Sequence, residues 1–357
     1  MDNTITITLP DDFNKRMGLA PVVSDGIRWL AADSPELELS GFAWYEQEHL
    51  FRRFPKSPAW PIPPMVEMHA NHSAGGKLRF RTNSTRVQIR VKRGPMEPSD
   101  TLSYTGKSGF DLYIGAPGEE RFRAVTRIAP WQTEFVTQLF AGEAEERCFT
   151  LYFPLYHPVE SVEIGIDAAA SIALPPPLLD PDRQVVVYGT SITQGGCASR
   201  PGMAYTNILS RRLKRHFLNF GFSGCGRGEP EVAHLLASLP SPSLYILDYE
   251  ANIGDNYAPT LMNFIPILLE KHPKTPILVM SCYPFTSRPV SQTRLAATKA
   301  AVASFADASA PVVFFDGSNM LGDDFGECLV DGVHATDLAF YRMANAIQAQ
   351  ALELLEY

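Results

Sequence analysis

Cysteine is scarce in this chain: five in 357 residues, at positions 148, 197, 225, 282 and 328. The number is odd and no C-x-x-C pair occurs, which excludes a disulfide framework or a cysteine-rich zinc site as the basis of the fold and fits free thiols in a reducing compartment. A basic excess is also lacking. Thirty-one Lys and Arg stand against 39 Asp and Glu, for a net charge of −8, the wrong balance for a chain whose task is to hold nucleic-acid phosphates. No apolar run approaches the roughly 18 residues that a membrane span requires. The opening MDNTITITLPDDFNKRM has neither a basic leader nor an apolar stretch, so the expectation is a cytoplasmic protein with no membrane and no nucleic-acid partner.

What is present divides into two periods. From about residue 36 to 167 apolar and polar residues alternate: Leu78 and Phe80 with Lys77, Arg79 and Arg81, then Val87, Ile89 and Val91 with Arg86, Gln88, Arg90 and Lys92, and later Val162, Ile164 and Ile166. Such alternation marks strands with one face in a core and one in water. Turn signals at 73–76 and 115–118 point to an antiparallel β-sandwich. The basic residues are then the wet face of a hairpin turning at Asn83-Ser84-Thr85. The stretch 174–182, with three consecutive prolines, can be neither helix interior nor central strand and reads as a linker. Beyond it, apolar runs at 185–188, 217–220, 244–247, 277–280 and 312–315 alternate with helix-length segments, the signature of a mainly parallel sheet flanked by helices. The expected domains are therefore 1–173, the linker 174–182, and 183–357.

Within the second half, Val185-Val-Val-Tyr-Gly-Thr-Ser191-Ile-Thr193 places a serine where a buried strand ends. Ligands in open α/β sheets bind beyond the carboxyl ends of the strands, so Ser191 is a candidate nucleophile as well as a candidate helix cap. Downstream, Asp331-Gly-Val-His334 puts a carboxylate and an imidazole three residues apart before an amphipathic helix. His334 could act as general base for a serine hydroxyl, with Asp331 orienting the ring. Ser223-Gly224 and Asn252 follow two further strands, where a backbone N–H and a side-chain amide could face one reacting oxygen. An α/β-hydrolase would need G-x-S-x-G, and position 193 is Thr; a P-loop would need Lys after its last glycine, and Gly196 is followed by Cys197. Cys197 and Cys225 flank these blocks without an adjacent activating cation and read as packing residues.

These four blocks, Gly189-Thr-Ser191-Ile-Thr193, Ser223-Gly224, Asn252 and Asp331-Gly-Val-His334, resemble the SGNH (GDSL-like) hydrolases over about residues 183–357. The upstream half, with Leu151-Tyr-Phe-Pro-Leu-Tyr-His-Pro, is similar to the β-rich domain that one branch of that family carries. Thr190 stands where the commonest motif has Asp, and Glu250-Ala-Asn252-Ile253 departs from Gly-x-Asn-Asp, which leaves Asn256 as a second candidate donor. The resemblance implies a flavodoxin-like three-layer α/β/α domain with a five-stranded sheet after the β-sandwich, and a Ser191–His334–Asp331 triad. It implies an oxyanion hole from Ser191, Gly224 and Asn252, with no metal or organic cofactor. The activity implied is serine-esterase hydrolysis of a short-acyl ester, an O-acetyl group on a carbohydrate. A carbohydrate-binding protein with a vestigial hydrolase domain, or a lipase or thioesterase, are the alternatives. Polar loop residues Gln194, Ser199, Arg200, Arg227 and Glu229 are expected to face a sugar-like alcohol.

Overall fold

The structure is a computed structural model, and it describes residues 25–95, 99–129 and 131–357. The first 24 positions of the expected first domain lie outside the described residues. Two antiparallel sheets stack face to face. One runs in the order Ile27–Ala31, Val159–Asp167, Arg86–Arg93, Glu134–Ala141. The other runs Ile172–Ala173, Lys77–Thr82, Arg147–Tyr152, Asp111–Ile114, Arg121–Val125, with Glu38–Ser40 also paired to Lys77–Thr82. Leu78, Phe80, Leu112, Phe149 and Leu151 from one sheet meet Val87, Ile89, Ile164 and Ile166 from the other in a shared core, as the alternation requires.

Two expectations for this half need correction. The strands Lys77–Thr82 and Arg86–Arg93 belong to different sheets, so Asn83-Ser84-Thr85 is a corner between sheets rather than a hairpin turn. Asp167 holds that corner by accepting from Thr85 N–H at 2.7 Å and Ser84 Oγ at 3.0 Å. Nor is the polar face of Lys77–Thr82 wet. Lys77 and Arg79 are each only 3% exposed: Lys77 Nζ donates to Ser210 Oγ of the second half at 2.8 Å, and Arg79 reaches Glu38 and the Pro176 carbonyl of the linker. Arg90 and Lys92, on the other sheet, do face solvent.

Between Ser40 and Lys77 the chain leaves the sandwich. This excursion contains two short helices, Tyr45–Glu48 and Pro64–Ala70, where a strand pattern was expected. The run Arg53-Phe-Pro-Lys-Ser-Pro-Ala-Trp-Pro-Ile-Pro-Pro explains the irregularity, since proline cannot serve an interior strand. Phe54, Val66 and Ala70 from the excursion are buried in the core of the second half.

The second half is a parallel sheet in the order His216–Gly221, Gln184–Gly189, Pro242–Asp248, Ile277–Met280, Val312–Phe315. Four of these strands are buried on both faces, as parallel strands are, and the edge strand Val312–Phe315 is half-buried. Tyr205–Leu213 and Asp337–Leu355 pack on one side, while Pro230–Ala237, Tyr257–Lys271 and Gln292–Ala303 cover the other. That is the three-layer flavodoxin-like order. Its switch point lies at the carboxyl end of the first strand, between its two neighbours.

Candidate active site

Ser191 sits at that switch point. The strand Gln184–Gly189 stops at Thr190, whose hydroxyl accepts the Ile192 N–H at 3.2 Å, while Thr193 Oγ1 takes the Thr190 N–H at 3.3 Å. Thr190 is therefore the N-cap of the short helix Ser191–Gln194, and Ser191 is its first residue, free of a capping role. Thr193 Oγ1 also donates to Asp248 Oδ2 at 2.8 Å, which Tyr205 shares at the same length. Burial pushes the Asp248 carboxyl up to about 6, against the pull of those two hydroxyls. The turn that carries Ser191 is thus pinned to the neighbouring strand.

His334 arrives from the far end of the chain. Its Nε2 lies 3.0 Å from Ser191 Oγ and its Nδ1 lies 2.7 Å from Asp331 Oδ2. The other Asp331 oxygen accepts the backbone N–H groups of Val333 at 3.0 Å and His334 at 2.8 Å. Burial alone would raise the Asp331 pKa, but these hydrogen bonds outweigh it and hold the carboxyl near 2. An ionised Asp331 can only accept, so Nδ1 carries the ring proton and Nε2 presents its lone pair to the serine hydroxyl. The turn closes on itself through Val330 N–H to His334 O at 2.8 Å and needs φ of +84° at Gly332, where only glycine is relaxed. Tyr283 and Thr286 hold it from the fourth strand's loop, by hydrogen bonds to the Val333 and Gly332 carbonyls.

Gly224 and Asn252 follow the two strands that flank the first. Gly224 has φ of +70° and no heavy atom within 4 Å of where a Cβ would stand, so the loop is open on that side. Asn252 is half-buried on the turn Glu250–Ile253. Its Nδ2 donates one hydrogen to the Gly226 carbonyl at 3.0 Å, tying it to the glycine loop and leaving a second hydrogen. Glu250, buried in this variant block, accepts from Cys282 N–H at 2.9 Å and Arg294 at 3.1 Å and so anchors the turn. Asn256 is exposed at the start of the next helix. The structure brings Ser191, His334 and Asp331 together as a hydrogen-bonded series and ties the Asn252 turn to the glycine loop.

Residues 182–351 match the GDSL-like lipase/acylhydrolase family, and residues 27–172 match the N-terminus of SGNH-hydrolase-type esterases. A GDSL-like lipase structure from Bacteroides ovatus is 31% identical over 92% of this chain and 98% of its own, with a TM-score of 0.81. The chain belongs to the GDSL-like family. At the level of fold it also matches the salicylyl-acyltransferase SsfX3 of a tetracycline biosynthetic pathway (16% identity, 93% and 98% coverage, TM-score 0.73). A family two carbohydrate esterase from Cellvibrio japonicus matches too (13%, 92% and 98%, TM-score 0.59). A search of curated proteins finds no match.

In this GDSL-like chain most of the polar loop residues expected to face substrate are occupied internally. Gln194 is fully buried, Ser199 binds Asp337, Arg200 pairs with Asp111 at 3.0 Å and lies over the Phe122 ring, and Glu229 accepts from the Tyr188 hydroxyl. Ser199 and Arg227 are the exposed members of that set, and the Arg227 guanidinium turns to the glycine loop, donating to the Gly224 carbonyl at 3.0 Å. Burial raises both the Cys197 and Cys225 thiols to about 11, which keeps them protonated and fits packing roles. Among the described residues no three His, Cys, Asp or Glu side chains gather as a metal site would require. Sequence reasoning missed the first domain's contribution: Tyr156 donates to the Ser191 carbonyl at 3.3 Å, and Arg53 and His72 lie beneath the glycine loop. The H-x-x-H spacing of His69 and His72 was the available signal.

Proposed function

We propose that this GDSL-like protein is a serine esterase that removes short acyl groups, acetyl above all, from a carbohydrate-like alcohol. The observation that carries the reading is the unbroken series from Ser191 Oγ to His334 Nε2 at 3.0 Å and from His334 Nδ1 to Asp331 at 2.7 Å. Ser191 Oγ attacks the ester carbon while Nε2 takes its proton. The imidazolium, steadied by Asp331, then returns that proton to the leaving alkoxide, and a water repeats the sequence in reverse to release the acid. The negative oxygen formed in each tetrahedral state would be met by the N–H groups of Ser191 and Gly224 and the spare Asn252 hydrogen. The Ser191 N–H, in the first turn of a helix, has no intrahelical acceptor to compete for it.

Two observations support a short acyl group and a polar alcohol. Among the described residues, of the large apolar side chains that stay exposed only Val330 lies within three positions along the sequence of any of the four blocks, whereas a long chain needs a broad apolar surface, each buried CH₂ contributing about 0.8 kcal/mol. The neighbour from Cellvibrio japonicus is named a carbohydrate esterase. On p-nitrophenyl esters kcat/KM should fall steeply from acetate to butyrate and vanish by octanoate, and acetylated sugars should lose acetate. Ser191→Ala and His334→Ala should each remove nearly all of the rate, with the double variant scarcely worse than either. Activity rising with chain length would move the assignment to a lipase or thioesterase. Full activity of Ser191→Ala would reject the serine mechanism.

A further inference from the structure

The glycine loop is held from beneath by Gln194 and by side chains that the first domain supplies. Gln194, fully buried, accepts the Ser223 N–H on Oε1 at 3.1 Å and donates from Nε2 to the Leu155 carbonyl at 3.0 Å. A backbone N–H can only donate and a carbonyl only accept, so the two together fix which way the amide points. Gln194 Nε2 also lies 3.0 Å from His72 Nδ1, at which its second hydrogen points, so Nδ1 is an acceptor and the ring proton sits on Nε2. Burial, and then the Arg53 charge, push the His72 pKa well below the ordinary histidine value, so that lone pair stays available. Arg53 completes the assembly. Its guanidinium, only 1% exposed, donates to the His72 carbonyl at 3.0 Å and to the Gly221 carbonyl, and lies 4.6 Å over the Phe222 ring.

Gly221 and Ser223 are the two ends of the turn that leads into Gly224. Arg53 grips the first by its carbonyl and Gln194 the second by its N–H. We propose that Gln194, held by His72 of the first domain, whose carbonyl Arg53 anchors, is a positioning residue that aims the Gly224 N–H at the oxyanion, so that the sandwich domain is a working part of the catalytic centre. This rests on the esterase reading above. An oxyanion donor is effective only when it is already in place as charge develops. Loosening the brace should therefore weaken the tetrahedral state and spare substrate binding.

The test compares Gln194→Met, His72→Leu and His72→Asn with the wild-type protein. His72→Asn can return an acceptor oxygen close to the Nδ1 position. Competent sites are titrated to completion with a fluorophosphonate, kcat and KM for p-nitrophenyl acetate are expressed per titrated site, and inhibition by phenylboronic acid, which forms a tetrahedral serine adduct, is measured alongside. Gln194→Met and His72→Leu should lower kcat at least about tenfold, short of the roughly 10²–10³ of losing a donor outright. KM should stay within about twofold, the boronate constant should rise in step with the kcat loss, and His72→Asn should recover most of the rate. An unchanged kcat per titrated site in both variants, or a fall in titratable sites alone, overturns the brace. If Gln194→Met does not fold, the His72 pair decides. Ser191→Ala, run in parallel, separates the outcomes: if it keeps activity the esterase reading itself fails, whereas its loss together with normal brace variants rejects only the positioning role.

Discussion

Each member of the serine–histidine–aspartate series has one orientation open to it. Asp331 spends one oxygen on two backbone N–H groups and the other on His334 Nδ1, so the ring can neither flip nor change tautomer without breaking a charge-assisted bond. The oxyanion side is less symmetrical. Asn252 is linked to the Gly226 carbonyl, whereas Asn256 stands exposed one turn further on, beyond Asp255, which Arg294 holds at 2.9 Å. Asn252→Ala should therefore reduce kcat by roughly 10²–10³ with little change in KM, the usual effect of removing one donor. Asn256→Ala should leave both constants near wild type, and steady-state kinetics on p-nitrophenyl acetate distinguishes the two. A larger loss at Asn256 would reverse the assignment of that block. The D-x-x-H pair was legible in the sequence because its geometry is local, fixed by one tight turn. The polar residues after the nucleophile were not. Whether Gln194 or Arg200 meets substrate or protein depends on Leu155, His72 and Asp111, and no spacing within one stretch reveals partners 39 to 122 positions away.

Among the elements, the strand ends do most to assemble the site. The three adjacent strands Gln184–Gly189, His216–Gly221 and Pro242–Asp248 end in the loops of Ser191, Gly224 and Asn252. Asp248 ties the end of the third strand to Thr193, two residues from Ser191. Its carboxyl, raised to about 6 from an ordinary 3.8, makes a signed prediction. Between those two values the folded chain keeps a proton that the unfolded chain has released, so this group's contribution to stability falls as pH rises and is fully lost above about 6, a change of up to roughly 3 kcal/mol. Asp248→Asn cannot titrate. Urea unfolding of both proteins from pH 4 to 7 should show the variant gaining on the wild type across that window; a constant difference would mean that Asp248 titrates as an ordinary carboxylate. These strands were legible as continuous apolar runs because a parallel strand is buried on both faces. Alternation in the sandwich was equally legible as strand, but its polar face was assigned to water. Lys77 and Arg79 lie buried, Lys77 against the Ser210 hydroxyl and Arg79 paired with Glu38, and only the folded arrangement of both halves shows that.

For the whole molecule, the linker suggested two units joined by a tether, yet the first domain is built into the second. Phe54 is completely buried, stacked on Phe220 at 4.9 Å and on Phe222 at 5.1 Å, and Trp60 stacks on His234. Phe220 belongs to the second strand of the parallel sheet, and Phe222 leads directly into the glycine loop. The core of the hydrolase half is therefore incomplete without residues from the excursion between Ser40 and Lys77, and the two halves should not unfold separately. Calorimetry of the intact chain should give a single transition. Phe54→Ala leaves a cavity between the domains and should lower stability by about 3–5 kcal/mol, shifting that transition to lower temperature without splitting it. Two resolved transitions in the wild-type protein, or a variant in which only one part of a double peak moves, would show that the sandwich is an appendage and that its aromatic contacts are dispensable to the hydrolase fold. A single displaced peak, with fluorophosphonate labelling of Ser191 lost over the same temperature range, is the outcome expected if catalytic geometry and inter-domain packing are one cooperative structure.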